Sequence, residues 1–195
     1  MNQNSTGVAS RLLGLGAVAL MLGLTPVGFA KGAPRAAAKN APVIVALTDA
    51  EKADLTFMRE EEKVARDAYL YFYGAWGEVV FSNIATSEQS HMNAIAKLLA
   101  KYGLPDPVAG LGVGQFSTPE FQAMYDEVVA LGSASFVDAL MMGVLIEEAD
   151  IADLTSALAE TSVKDITTVY TNLRNGSRKH LAAFNAWLAL QGVAD

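Results

Sequence analysis

The chain has no cysteine. That excludes disulfides, thiolate metal sites and a lipid-modified leader, so stability has to come from packing and from any bound metal. Basic residues are few as well: 14 Lys and Arg stand against 21 Asp and Glu in 195 residues, with no cluster among them. A surface that binds phosphates needs clustered cations, so nucleic acid is excluded as a partner. Strand signals are missing, because no run shows the apolar alternation of a half-buried strand. No internal repeat of fixed period is present. Gly110-Leu111-Gly112-Val113-Gly114 has neither a preceding strand nor a following phosphate-loop lysine, and reads as loop. Histidine is scarce, with two in the chain, His91 and His180.

Hydrophobic residues make up 52% of the chain, and they begin with an N-terminal run. Arg11 precedes an apolar stretch from Leu12 to Leu24, followed by Thr25-Pro26 and then Gly28-Phe29-Ala30. Small residues at those last positions are what a signal peptidase reads, so residues 1–30 are expected to be a signal peptide cleaved after Ala30. The product would be exported to the periplasm, cell surface or exterior, with no membrane segment in its mature form. An uncleaved anchor is the competing reading, because the stretch is close to the minimum for a span, and the small-x-Ala ending favours removal. Residues 31–47, rich in Ala, Pro and Lys, read as a flexible linker. The first acidic residue is Asp49, and residues 48–192 are long enough for one domain with a sizeable core.

The domain reads as all-α. Thr48 with Glu51 forms a capping-box pattern that opens a first helix to about Tyr73, with core stripe Leu55, Met58, Glu62, Ala65, Tyr69 and Phe72. Ser82 is the expected cap of a second helix ending at Tyr102-Gly103, with stripe Ile84, Glu88, His91, Ile95, Leu98 and Tyr102. After a Pro- and Gly-rich stretch, Thr118-Pro119-Glu120 opens a short helix to about Leu131, read as part of a crossover. Ser133 or Ser135 opens a third long helix with stripe Val137, Leu140, Val144, Glu147, Ile151, Leu154 and Leu158. Ser162 is the expected cap of a fourth, with stripe Ile166, Tyr170, Leu173, Ser177, His180, Phe184 and Trp187.

Each long stripe is interrupted near its middle by polar residues, and these interruptions carry the chemistry. Glu62, Glu88 with His91, Glu147, and Ser177 with His180 all fall on faces that should enter a core. Glu147 and Ser177 stand 14 and 16 residues either side of the turn near residue 161, so antiparallel helices bring them level. About the turn near residue 78, Glu62 lies 16 residues before, and Glu88 and His91 lie 10 and 13 after, a mismatch that an eight-residue connection would absorb. Carboxylates and imidazoles are costly to bury unless something pairs with them, and in a bundle core a metal ion is the usual partner. A polar layer in which Arg174, Arg178 or Lys63 pairs with the carboxylates is the structural alternative. Oxygen and imidazole ligands without thiolate suit iron, manganese or zinc. Tyr69 and Tyr170 lie within a turn or two of these residues, as packing aromatics, ligand partners or electron carriers. Met58, Met92, Met141 and Met142 read as core filler.

Glu on the first helix, Glu-x-x-His on the second, Glu on the third and a His-bearing motif on the fourth resemble the ferritin-like superfamily, in particular rubrerythrin-type di-iron carboxylate proteins. Glu62-Lys63-Val64-Ala65 continuing to Tyr69 fits the Glu-x-x-Ala-x-x-x-Tyr of those first helices. The stretches Phe57-Met58-Arg59-Glu60-Glu61-Glu62-Lys63, Ser87-Glu88-Gln89-Ser90-His91-Met92, Ile146-Glu147-Glu148-Ala149-Asp150-Ile151 and Gly176-Ser177-Arg178-Lys179-His180-Leu181 resemble an uncharacterised ferritin-like family catalogued as a domain of unknown function. The resemblance spans about residues 48–190 and implies a ferritin-like four-helix bundle, with a long crossover containing a short helix between the second and third long helices. It implies metal ligands Glu62, Glu88, His91, Glu147 and His180, most naturally two irons, with manganese or zinc as alternatives. The implied activities are ferrous-iron oxidation or peroxide reduction, the latter with an external electron donor because no rubredoxin-like cysteine site exists. One position departs from the pattern. The second Glu-x-x-His has Ser177 where the superfamily has Glu, so a second metal needs a substitute carboxylate: Asp150 is the nearest candidate, and Glu61 and Glu148 are others. A metal-holding or stress-associated module without turnover, and a metal-free structural bundle acting through a partner, are the readings from other classes. Oligomerisation is left open by the stripes.

Overall fold

The computed structural model describes residues 45–193. The expected signal peptide and all but the last three residues of the expected linker lie outside the described residues. Five α-helices and no strand occur among the described residues: α1 (Asp49–Trp76), α2 (Val79–Tyr102), α3 (Pro119–Gly132), α4 (Phe136–Glu160) and α5 (Lys164–Leu190). Four are long and α3 is short, in the order expected. No described helix is long and apolar enough to cross a membrane.

The local signals account for most of the boundaries. Thr48 and Glu51 close the expected capping box: the Glu51 amide donates to Thr48 Oγ1 at 3.2 Å, and Glu51 Oε2 accepts from the Thr48 amide at 2.8 Å. Thr118 caps α3 with Pro119 in its first turn, and Ser135, of the two serines considered, caps α4. α1 and α2 end at Gly77 and Gly103, whose φ angles of 72° and 68° are left-handed and suit a residue without Cβ.

Two expected caps are displaced. α2 starts at Val79, so Ser82 lies inside it, and Glu78 precedes it with no side-chain cap bond. α5 starts at Lys164 after Val163, while Thr161 ends α4 and Ser162 lies between. In both places a short connection set by the neighbouring helix's end outweighs the local preference of serine. α1 runs on past Tyr73 to Trp76, leaving only Gly77 and Glu78 between the first two helices rather than the longer connection expected.

The packing separates into two apolar clusters. One is rich in aromatics and contains Tyr69, Phe72, Phe81, Phe121, Leu140 and Phe184. The other is aliphatic apart from Tyr170 and contains Leu55, Met58, Ile95, Leu99, Leu154 and Leu173. On α1, α2 and α5 the polar residues of the stripe fall between the part that enters one cluster and the part that enters the other, and on α4 Glu147 lies at the edge of the first cluster. The expected α4 stripe is turned partly aside: Leu140, Glu147 and Leu154 are buried, whereas Val137, Val144, Ile151 and Leu158 are half-buried, and Gly143, Ile146, Asp150 and Ala157 take the inner face.

α1 is buried on nearly every side from Met58 to Tyr69, including the charged run Arg59-Glu60-Glu61-Glu62-Lys63. The chain between α2 and α3 lies across its outer face. Arg59 donates to both oxygens of Asp106 at 3.0 and 2.9 Å, Lys63 donates to the Gly112 carbonyl at 2.7 Å, the Gly114 amide donates to Asp67 at 2.9 Å, and the Ser117 amide donates to Glu60 at 3.1 Å. Lys63 also pairs with Asp67. The outer charges are thus matched by the crossover, leaving Glu62 to point the other way.

Candidate metal centre

Four long helices each deliver side chains to one buried layer. α1 supplies Glu62, α2 supplies Glu88 and His91, α4 supplies Glu147, and α5 supplies His180. The three carboxylates are 2% exposed and the imidazoles 9% and 8%. Two groups form in which every ligand atom lies within 4.8 Å of the others: Glu62 with Glu88 and His91, and Glu88 with Glu147 and His180. Glu88 belongs to both. Its Oε2 is 2.7 Å from His91 Nδ1 and its Oε1 is 2.7 Å from His180 Nδ1. Glu62 Oε2 reaches His91 Nδ1 at 3.2 Å, and Glu147 Oε2 lies 3.4 Å from His180 Nδ1. The imidazole rings lie 5.5 Å apart, inclined by 30°.

These contacts do not satisfy the layer. Glu62 Oε1, Glu88 Oε1 and His180 Nδ1 are buried without an aligned hydrogen-bond partner. Nor do the cations of the structural alternative fill the gap. Lys63 faces the crossover, Arg174 donates to Thr155 Oγ1 at 3.3 Å, and Arg178 is exposed. The layer therefore consists of acids and imidazoles facing one another.

Electrostatics follow from that composition. Burial, then the charges of Asp150 and Glu88, holds the Glu62 carboxyl well above the usual range despite His91. Burial and the charge of Glu88 push Glu147 up to about 8, with His180 pulling the other way. Burial also opposes ionisation of Glu88, but the imidazoles of His180 and His91 outweigh it and bring that carboxyl down to about 2. Burial disfavours the imidazoliums too, yet Glu62 and Glu88 raise His91 to about 11, and Glu147 and Glu88 raise His180 to about 9. Free of metal, the layer is a proton-holding network in which Glu88 carries the negative charge.

Supporting contacts orient the set. Tyr69 donates its hydroxyl to Glu147 Oε1 at 2.7 Å. His180 Nε2 is 2.9 Å from Ser87 Oγ, which fixes the ring so that Nδ1 faces the carboxylates. Ser177, at the position where the resemblance has Glu, donates to Asp150 Oδ2 at 2.5 Å and to the Leu173 carbonyl at 2.9 Å. Asp150 is 5% exposed and keeps Oδ1 unpartnered, and burial lifts its carboxyl to about 7 against the Ser177 hydrogen bond. It stands beside the two groups rather than within them. Glu61 is buried at 4% exposure, whereas Glu148 is exposed. Tyr170 is buried with an unpartnered hydroxyl, amid the aliphatic cluster.

Gly176 escaped the reading of the sequence. A Cβ placed on it would lie 2.6 Å from His91 Nε2 and 2.8 Å from Cε1, so α5 passes against the edge of the His91 ring. A glycine inside a long helix, four residues before the histidine, was the available signal, since it costs about 1 kcal/mol relative to alanine unless something requires it. Ser87 was likewise missed, because nothing in a helix pattern marks a serine one position before Glu88 as a partner for His180 on another helix.

Fold and site together define a class, an all-helical protein with a buried carboxylate and imidazole group that could hold a metal ion. Within it, the chain belongs to the family of the uncharacterized protein domain DUF2202, which matches residues 51–194. It is 49% identical over 138 residues to the uncharacterized protein MJ0754 of Methanocaldococcus jannaschii, covering 71% of this chain and 75% of that protein. The crystal structure of hypothetical protein MJ0754 from Methanococcus jannaschii superposes with a TM-score of 0.75 at 44% identity, over 82% of this chain and 89% of that one.

Proposed function

We propose that the chain is an exported ferritin-like four-helix bundle with a two-metal centre, in which Glu62, Glu88 and His91 hold one ion and Glu88, Glu147 and His180 hold the other. The observation that carries this reading is the sharing of Glu88 between two buried ligand groups, with Glu62 Oε1 buried beside them without a partner. Burying such groups costs several kcal/mol each (about 2–7), and a cation removes that penalty where Lys and Arg are turned elsewhere. The donor set fits iron, with manganese or zinc as alternatives. The short α3 within the connection from α2 to α4 suits the crossover of such a bundle. Export is supported by the Arg11-led apolar run ending in Gly28-Phe29-Ala30.

Held by Glu62, Glu88, His91, Glu147 and His180, two ferrous ions would supply one electron each, taking dioxygen and two protons to hydrogen peroxide, or hydrogen peroxide and two protons to two waters. The chain's own residues supply the rest. Glu88 holds both positions together. Tyr69 keeps Glu147 oriented, and Ser87 holds the His180 ring with Nδ1 facing inward. Proton uptake and release fall to Asp150, which stands beside the ligand groups and whose carboxyl burial lifts to about 7. Electrons for sustained peroxide reduction come from an external donor, because the chain has no cysteine.

Holding metal without turnover is the second reading, and Ser177 favours it by removing one carboxylate from the set. Anaerobic loading with ferrous iron followed by oxygen or peroxide separates the two. Rapid growth of ferric absorbance, faster than in a His91→Ala/His180→Ala variant, supports oxidation. Iron that binds but oxidises no faster than free iron supports the holding role.

A further inference from the structure

Beside the centre lies a second acidic run that its ligand groups do not use. Glu61 on α1 and Asp150 and Asp153 on α4 occupy the seam between those helices; the first two are 4% and 5% exposed, and Asp153 is half-buried. Glu61 and Asp153 face each other as a hydrogen-bonded carboxyl pair, and the charges of Asp150 and Glu62 also act on Glu61. The salt bridges of this part of α1 join Arg59, Lys63 and Arg66 to Asp106 and Asp67, and none reaches the three acids among the described residues. Each acid keeps an unpartnered buried oxygen: Glu61 Oε2, Asp150 Oδ1 and Asp153 Oδ2.

The run continues outward. Asp54 feels the charges of Glu160, Glu51 and Asp153, and Glu160 is exposed at the end of α4. Asp54 and Glu61 are seven residues apart on α1, and Glu160 and Asp153 are seven apart on α4, so the acids recur along one face of each helix. From Asp54 to Glu61 is about 10 Å at 1.5 Å per residue. Inward, Asp150 exerts the largest charge effect on Glu62, and the Ser177 hydrogen bond to Oδ2 leaves Oδ1 free.

We propose that the α1–α4 seam is a conduit for divalent cations, with Glu160 and Asp54 at its mouth, Asp153 and Glu61 as transient oxygen ligands, and Asp150 adjoining Glu62 at its inner end. The proposal rests on the reading of the centre as a metal site. An ion crossing from water to a buried layer loses most of its hydration, and carboxylates spaced along the way replace that hydration in stages. Oxygen-only stops suit ferrous iron, manganese or magnesium and hold them loosely, whereas the imidazole-containing centre holds transition metals more tightly, so transfer runs inward. Acids at the mouth also raise the local cation concentration.

Cobalt(II) is the probe, mixed anaerobically with apoprotein in a stopped-flow instrument while its ligand-field absorbance is followed. The comparison is among wild type, Asp153→Asn, Glu61→Gln, and Glu120→Gln as an exposed change of the same charge on α3. Asp153→Asn and Glu61→Gln are expected to slow uptake about tenfold or more, with the final number of cobalt ions per chain unchanged, and raised salt is expected to narrow the difference. Glu120→Gln should stay within about twofold of wild type. Full uptake at the wild-type rate in Asp153→Asn and Glu61→Gln overturns the conduit and leaves the centre standing. Failure of wild type itself to take up cobalt overturns the centre, and the conduit with it. Circular dichroism and urea midpoints of the amide variants check for misfolding; Asn and Gln keep the size of the acids and can still hydrogen-bond across the pair.

Discussion

At the scale of single residues, what distinguishes the centre is how little freedom its side chains have. Glu88 touches both imidazoles, Tyr69 holds Glu147, Ser87 holds His180, and Gly176 leaves room for the His91 ring. The last of these separates stability from binding. Helix propensity alone predicts that Gly176→Ala stabilises the fold by about 1 kcal/mol. The added methyl would sit 2.6 Å from His91 Nε2, however, so the ring has to turn away. We expect the apoprotein of this variant to keep its urea midpoint or gain slightly, while affinity for cobalt falls about tenfold or more, as for other losses of ligand support. Equal affinity with a raised midpoint would show that the ring edge is not constrained by α5.

At the scale of elements, α1 is the unusual member, because both its inner and outer faces are buried. Arg59, Glu60, Lys63 and Asp67 on its outer side are matched by Asp106, Ser117, Gly112 and Gly114 of the crossover. Asp106→Ala would strand the Arg59 guanidinium, whose side chain is 10% exposed, and remove the acceptor of the Val108 amide. The expected cost is about 1–3 kcal/mol, read as a lower urea midpoint with faster amide exchange across residues 104–117. A variant as stable as wild type would mean that the Arg59–Asp106 pair does not hold the crossover, leaving that role to the Gly112, Gly114 and Ser117 contacts.

The same helix shows where sequence reasoning stops. The stripes Leu55 to Phe72 and Ile84 to Leu98 were legible because one helix face repeats about every 3.6 residues, and Glu62, Glu88, His91, Glu147 and His180 stood out as polar breaks in such stripes. Glu61, offered only as a substitute ligand, is buried because α4 packs over that side of α1 with Asp150 and Asp153, just as an irregular loop more than forty residues away in sequence covers Lys63. Periodicity within a helix carries no information about such a cover. Ser82 and Ser162 misled for a related reason: each is a good cap locally, but the ends of α1 and α4 decide where the next helix begins. The role of Ser177 was also hidden, since its partner Asp150 is on another helix.

At the scale of the whole molecule, protons occupy one buried layer between two apolar clusters where the proposed metal would compete with them, and this sets the pH dependence of stability. Glu147 and Asp150 have folded pKa values of about 8 and 7, above their unfolded 4.5 and 3.8. Folding therefore favours their protonated forms, and the apoprotein loses stability as pH rises from about 4 through 8. His91 and His180, raised from 6.5 to about 11 and about 9, contribute fully below 6.5 and lose that contribution as pH rises through their folded values. Glu88, lowered to about 2, contributes above 4.5 and is lost as pH falls through 2. Thermal melts of chelator-treated protein are expected to peak near pH 4 and decline toward pH 9. With saturating metal the slope between about pH 6 and 8 should reverse, because binding has to displace about two or more protons from the layer. Parallel profiles with and without metal would place the bound ion away from these groups.

The central claim, two metal positions joined by Glu88, is tested most directly by elemental analysis of metal per chain after ferrous reconstitution and desalting. Wild type, Glu88→Ala and the His91→Ala/His180→Ala variant are compared. The account predicts about two ions per wild-type chain, as for two-metal sites generally, and almost none in either variant. No metal in wild type, or wild-type amounts retained in Glu88→Ala, would contradict it.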